Sequence, residues 1–168
     1  RSPPPSGVGC LKLGLGVLLD VCRGMCHVHS VGVAHFDLKP SNVLVTSGGV
    51  GKVADFGLAL QFDVSVDVLQ APIWSGRRGT EGYRAPELDN GDRRRWRSVT
   101  PMVDVWSFGA IAGEVFGVVG EGVLESVGRV FDGRGLVGRC QAKAAQYRPT
   151  FEGLVVELEA VLVDLERL

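Results

Sequence analysis

The chain has almost no net charge: 18 Lys and Arg stand against 19 Asp and Glu, for a formal −1. A field of one sign, the footprint of a nucleic-acid binder or of a protein drawn to an anionic membrane, is therefore missing. No nucleic-acid partner is expected, and recognition of charged ligands must be local. A long apolar run is missing too. A membrane span needs about 18 residues with few charges, and the longest candidates are broken by Gly, Arg, Asp or Glu, so no span is expected. Cysteine is scarce: Cys10, Cys22, Cys26 and Cys140 stand alone, without a signal-like stretch ahead of them. That argues against a disulfide frame and for buried thiols in an intracellular, cytoplasmic setting. No internal repeat is visible.

What is present suffices for one core, since 45% of the 168 residues are hydrophobic. The opening "RSPPPSGVG" is stiff and then flexible, a linker composition, so residues 1–10 read as a linker or a truncated edge. From Leu11 to about His29 the positions Leu11, Leu15, Leu18, Leu19, Cys22, Met25 and Cys26 recur at threes and fours, the spacing of one helix face. Gly14, Gly16 and Gly24 weaken that helix by roughly 1 kcal/mol each. Val43 to Val45 and Lys52 to Ala54, around Ser47-Gly48-Gly49, predict a small hairpin. Residues 55–98 carry no sustained period and read as a long segment with little regular structure, which in a compact domain is usually functional. Thr100 and Pro101 predict a hydroxyl N-cap and a first-turn proline for a helix through Val105, Trp106, Phe108, Ile111, Ala112 and Val115. Residues 117–146 are glycine-rich and weakly patterned. Thr150 then caps a last helix with the face Phe151, Leu154, Val155, Leu158, Val161, Leu162 and Leu165. The fold class expected is mainly α with a small β-hairpin.

Chemistry concentrates in "HFDLKPSNVL", residues 35–44, where a carboxylate, an amine and a carboxamide fall within six positions. Phosphoryl transfer needs a carboxylate near the accepting hydroxyl, oxygen ligands for magnesium and positive charge against the moving phosphate. Asp37, Lys39 and Asn42 supply these types, and the hairpin would return Asp55 beside Asn42.

These residues carry a resemblance. "HFDLKPSN" (His35 to Asn42), "DFG" (Asp55 to Gly57) and "APE" (Ala85 to Glu87) resemble the catalytic-loop, magnesium and activation-segment motifs of the eukaryotic protein kinases. "GTEGYRAPEL" (Gly79 to Leu88), "DVWSFG" (Asp104 to Gly109) and "RPTF" (Arg148 to Phe151) extend it over nearly the whole chain. The resemblance implies that residues 11–168 form a kinase C-lobe, a truncated α+β kinase fold without the N-lobe. It implies a serine/threonine kinase that uses ATP and Mg2+ on protein Ser or Thr hydroxyls, and little activity for the piece alone. By the same resemblance Asp37 is the catalytic base, Lys39 the phosphate contact, Asn42 and Asp55 the magnesium ligands, and Leu44 an adenine neighbour. Thr80 helps place the hydroxyl. Glu87 and Arg148 form an ion pair, and Asp104 accepts backbone amides beneath the catalytic loop; His35 supports that loop structurally.

The chain departs from the family pattern in places. Phe36 stands where an Arg commonly precedes the catalytic Asp and partners an activation-segment phosphate. The glycine-rich phosphate cover, the strand Lys and the helix Glu are not matched within these residues. "GLGVLL" (Gly14 to Leu19) has Leu at the third Gly position and a helical period, so it reads as helix. The interval from Phe108 to Arg148 is short for the family.

Other readings weigh less. Cys22, Cys26, His27 and His29 lie on the predicted core helix without a second Cys pair at zinc spacing. "RRRWR" (Arg93 to Arg97) reads as a solvated face rather than a phosphate grip. "WSFG" lacks the Gly of a nucleophile elbow, Val105 standing in its place. A noncatalytic pseudokinase or binding scaffold is the competing class.

Overall fold

The computed structural model describes residues 7–63, 68–69, 78–89 and 99–168. Helix α1 spans Val8–Ser30, so "GLGVLL" is helical, and it buries Leu11, Leu15, Leu18, Leu19, Val21, Cys22 and Met25. It ends where Gly32, at φ 73°, adopts the left-handed conformation that lets the chain reverse into strand β1, Val33–Ala34. The hairpin is β2, Val43–Val45, against β3, Gly51–Val53. Its second strand begins one residue earlier than the sequence suggests, because Gly51 rather than Ala54 pairs with the first strand and Gly51 N–H is held by Asp20 Oδ2 at 2.9 Å.

Over 55–98, read as a segment with little regular structure, the described residues form only short elements: β4 (Leu60–Asp63), β5 (Val68–Leu69) and helix α2 (Pro86–Asp89). Strands of two to four residues are too short to show a period. They form an antiparallel sheet in the order β1-β4-β5, with Val33 opposite Gln61 and Phe62 opposite Leu69. Arg93 to Arg97 lie outside the described residues.

Helix α3, Met102–Val119, is the central element, burying Val105, Phe108, Ile111, Ala112 and Phe116. Its predicted cap is corrected. Pro101 takes the N-cap position, and the first donors are met by tight turns, Val103 N–H to Thr100 O at 3.3 Å and Asp104 N–H to Pro101 O at 3.0 Å. The Thr100 hydroxyl is buried and has no hydrogen-bond partner among the described residues. By length and composition α3 is the one helix among the described residues able to cross a membrane, yet half of it is buried inside the protein. A core position accounts for its apolar character.

The weakly patterned stretch holds two short helices, α4 (Glu121–Ser126) and α5 (Gly133–Cys140), the latter capped by Asp132, which accepts from Gly135 N–H. The last helix, α6, Phe151–Glu166, starts at Thr150, whose hydroxyl accepts from Gly153 N–H. It packs along α1, and α5 packs on α3. The main core joins α1, α3, α5 and α6 around Phe108, Phe151 and Leu158. A second, smaller one gathers Ala34, Phe36, Ala85, Leu88, Val99 and Val103. The polar loop lies between them, at residues 35–42.

Candidate active site

The loop is held from beneath by one buried carboxylate. Asp104, in the first turn of α3 and fully buried, accepts His35 N–H on Oδ2 and Phe36 N–H on Oδ1, both at 2.8 Å. Hydrogen bonds to an ionised acceptor are stronger than neutral ones, and here they hold Phe36 at φ 66°, a conformation disfavoured for a residue with a Cβ. The Phe36 side chain is buried in the smaller core. His35 is fully buried; its Nδ1 accepts Asp37 N–H at 3.2 Å and its Nε2 donates to Ala54 O at 3.0 Å. Those two partners assign the proton to Nε2. The ring of Phe56 lies 4.9 Å from it.

Asp37 follows Phe36, and three other predicted residues meet at it. Thr80 donates its hydroxyl to Asp37 Oδ1 at 2.7 Å; Lys39 Nζ lies 2.7 Å from Asp37 Oδ2 and donates to Thr80 Oγ1 at 2.8 Å. Asn42 Nδ2 donates to Asp37 O at 2.8 Å and reaches Oδ2 at 3.3 Å. Burial pushes the Asp37 carboxyl up, but the Lys39 hydrogen bond, then those of Thr80 and Asn42 with the Lys39 charge, outweigh it and hold the group below its ordinary value. Thr80 reaches this place because Gly79, at φ 83°, passes so close that a Cβ there would sit 2.7 Å from Phe36 O. The Arg84 guanidinium fixes the same turn, donating to Arg78 O and Gly79 O at 2.7 and 2.6 Å.

Ala54 N–H bonds Asn42 O at 2.9 Å, so the hairpin brings the next residue, Asp55, back to the end of the loop. Asp55 is exposed, at φ 61°, and its Oδ1 accepts Gly57 N–H at 3.2 Å. Among the described residues no group of three or more His, Cys, Asp or Glu could hold a metal alone. Asn42 and Asp55 offer oxygen donors without such a cage. That suits magnesium, which takes one or two protein oxygens and fills its octahedron with phosphate and water. Leu44, on β2, is exposed.

Further out, Arg148 binds Glu87 through two parallel bonds, Nη1 to Oε1 at 2.6 Å and Nη2 to Oε2 at 2.8 Å. It also donates to Ala142 O and Met102 O and lies 5.2 Å from the Trp106 ring. Of the residues in the zinc reading, Cys22 is fully buried in the main core, where burial pushes its thiol well up, and Cys26 packs partly buried against that core.

The model of the protein kinase domain matches residues 15–121. The chain belongs to that family. Mitogen-activated protein kinase mpkC of Aspergillus oryzae is 40% identical over 98 residues, covering 58% of this chain and 25% of the relative. Mitogen-activated protein kinase hog1 of Botryotinia fuckeliana is 42% identical over 98 residues, 58% of this chain and 24% of the relative. Serine/threonine-protein kinase NLK2 of Xenopus laevis is 38% identical over 118 residues, 69% of this chain and 24% of the relative. This kinase-domain chain thus spans about a quarter of the length of the curated relatives it matches.

Two residues in this kinase-domain chain were invisible as site residues from sequence. His29 donates toward Asp104 from 75 positions away, and Arg84 works through backbone oxygens of its own turn. Neither contact leaves a spacing signal.

Proposed function

We propose that this chain is the catalytic-loop lobe of a serine/threonine protein kinase that transfers the γ-phosphate of ATP to protein Ser or Thr hydroxyls. The observation that carries this reading is the closed set of Asp37, Lys39 and Thr80, with carboxylate, ammonium and hydroxyl 2.7 to 2.8 Å apart. A substrate hydroxyl would meet the Asp37 carboxylate as the Thr80 hydroxyl does. The low carboxyl pKa keeps Asp37 ionised and suits it to orienting the attacking oxygen and taking its proton late. Lys39 lies beside the same oxygen and places positive charge on the path of the transferred phosphate.

Asn42 and Asp55 would hold Mg2+, and Leu44 would lie against the adenine. Bound magnesium neutralises charge on the phosphates. Glu87, Asp104 and Arg148 act by holding the loop and the segment that faces it. Cysteines that form no disulfide among the described residues fit an intracellular, cytoplasmic protein.

Residues 1–168 contain no match to the family's glycine-rich phosphate cover or strand Lys, and positioning supplies most of this reaction's acceleration. The purified chain is therefore expected to bind Mg·ATP weakly and to transfer phosphate slowly. Calorimetric titration should show nucleotide binding that needs magnesium and is lost in Asp55→Ala. A silent titration would overturn the enzymatic reading. Robust phosphorylation of a Ser/Thr protein, abolished by Asp37→Ala, would overturn the slow-transfer reading alone.

A binding scaffold is the second reading. It is favoured by the exposed apolar side chains Leu44, Val45, Val50, Phe56 and Leu58 on and just beyond the hairpin. Partner binding through these residues with no response to nucleotide would support it.

A further inference from the structure

Thr80, whose hydroxyl bonds Asp37 Oδ1 at 2.7 Å, also opens a tight turn: its carbonyl accepts Tyr83 N–H at 3.2 Å, so Glu81 and Gly82 form the corner. Gly82, at φ 88°, supplies the left-handed backbone that such a corner takes at its third residue. Both corner residues are exposed, and a Cβ at Gly82 would meet nothing within 4 Å, so the ground beside Glu81 is open. Other charged groups around the turn are engaged. Lys39 is held by Asp37 and Thr80, Arg78 donates to Leu58 O, Arg84 donates to Arg78 O and Gly79 O, and Glu114 accepts the Tyr83 hydroxyl. Glu81 has no hydrogen bond or ion pair among the described residues. It stands one residue from the hydroxyl that occupies Asp37, and adjacent Cα atoms are about 3.8 Å apart. A long cationic side chain next to an acceptor hydroxyl at Asp37 therefore comes within reach of the Glu81 carboxylate.

We propose that Glu81 is a specificity-determining residue that selects protein substrates carrying an arginine next to the acceptor Ser or Thr. This rests on the reading that the acceptor hydroxyl takes its place at Asp37. Arginine suits the site better than lysine, because a planar guanidinium meets a carboxylate through two parallel bonds and its stem can lie over the opening at Gly82. An acidic residue at the same place would face Glu81 as a like charge and be rejected.

Peptide titrations followed by 15N NMR on the 168-residue chain test this without nucleotide. Three peptides share one Ser and differ only in the residues flanking it, which are Arg, Met or Glu. At low salt the Arg peptide should bind about two- to fivefold more tightly than the Met peptide, the range of an exposed ion pair. The Glu peptide should bind more weakly than both, and the Glu81 and Gly82 amides should shift on binding. Glu81→Gln should bring the Arg and Met peptides to equal affinity, and Glu81→Lys should invert the order of the Arg and Glu peptides. The side chain is exposed, so neither variant disturbs the core. Equal affinities in the wild-type chain, an Arg preference that survives Glu81→Gln, or no binding of any of the three peptides would overturn the proposal. A Glu81-dependent preference in a chain that is silent to Mg·ATP would leave peptide selection standing and overturn the enzymatic reading alone.

Discussion

The Thr80 hydroxyl donates to Asp37 Oδ1 at 2.7 Å while accepting from Lys39 Nζ at 2.8 Å, so the segment that faces the loop is latched to it through the reactive carboxylate itself. Protonating Asp37 weakens the Lys39 contact and removes the acceptor for Thr80. The stability these contacts lend is therefore present above the carboxyl's unfolded pKa and is lost as pH falls through the depressed folded value. Carboxyl 13C shifts should place the Asp37 midpoint below that of an ordinary Asp, and Lys39→Met should move it upward. A midpoint indifferent to Lys39 would show that the latch is not electrostatic.

Arg148 and Glu87 differ in what each leaves behind. The Arg148 side chain is fully buried and that of Glu87 is 24% exposed. Glu87→Gln strands a buried guanidinium, although Ala142 O and Met102 O still accept from it, and should cost about 3 to 5 kcal/mol in urea unfolding. Arg148→Met leaves a carboxylate that water can reach, so its electrostatic cost is smaller, but it also strips the acceptors Met102 O and Ala142 O of their donor. Opposite effects on folding, with Glu87→Gln nearly neutral, would mean that the pair contributes little.

The residues that read well from sequence are those whose partners are close in the chain. Asp37, Lys39 and Asn42 fall in one short run, and α6 announces itself by the Thr150 cap and a sustained period. What stayed hidden depends on distance or on length. His29 and Asp104 are 75 positions apart, and β1 has two residues whose pairing with β4 exists only once α1 has turned back at Gly32. Thr100 was misread because a hydroxyl before a proline suits an N-cap, whereas tight backbone turns already satisfy the first donors of α3. The polar groups of the candidate site and, through the resemblance, the Asp104 carboxylate beneath the loop were legible; the His29 imidazole that meets that carboxylate was not.

Two glycines on core helices should respond to alanine with opposite signs. A Cβ at Gly16 would meet nothing within 4 Å, so Gly16→Ala should stabilise by about 0.5 to 1 kcal/mol through helix propensity. A Cβ at Gly109 would lie 2.7 Å from Cys140 Cβ and 2.9 Å from Gln141 Cγ, so α3 and α5 can pack this closely only over a glycine. Gly109→Ala should destabilise by about 1 to 3 kcal/mol. Thermal melts of the two variants give the comparison; a rise in Tm for both would contradict the close approach.

Phe36 fills, with an aromatic ring, the position where the family commonly carries the Arg that meets a phosphate. Its side chain is 3% exposed, packed in a cluster with the apolar side chains of Ala34, Ala85, Leu88, Val99 and Val103. Phe36→Arg would lose the buried ring and bring an unpaired charge against these apolar groups. The expected loss is at least about 3 kcal/mol, the range for removing a buried Phe alone. Phe36→Leu keeps the core apolar and should cost less, while both replacements still need the left-handed backbone at this position. The order of their urea midpoints checks the argument. An Arg variant as stable as wild type would mean that the guanidinium escapes to solvent, and that this position can still serve a phosphate on the facing segment.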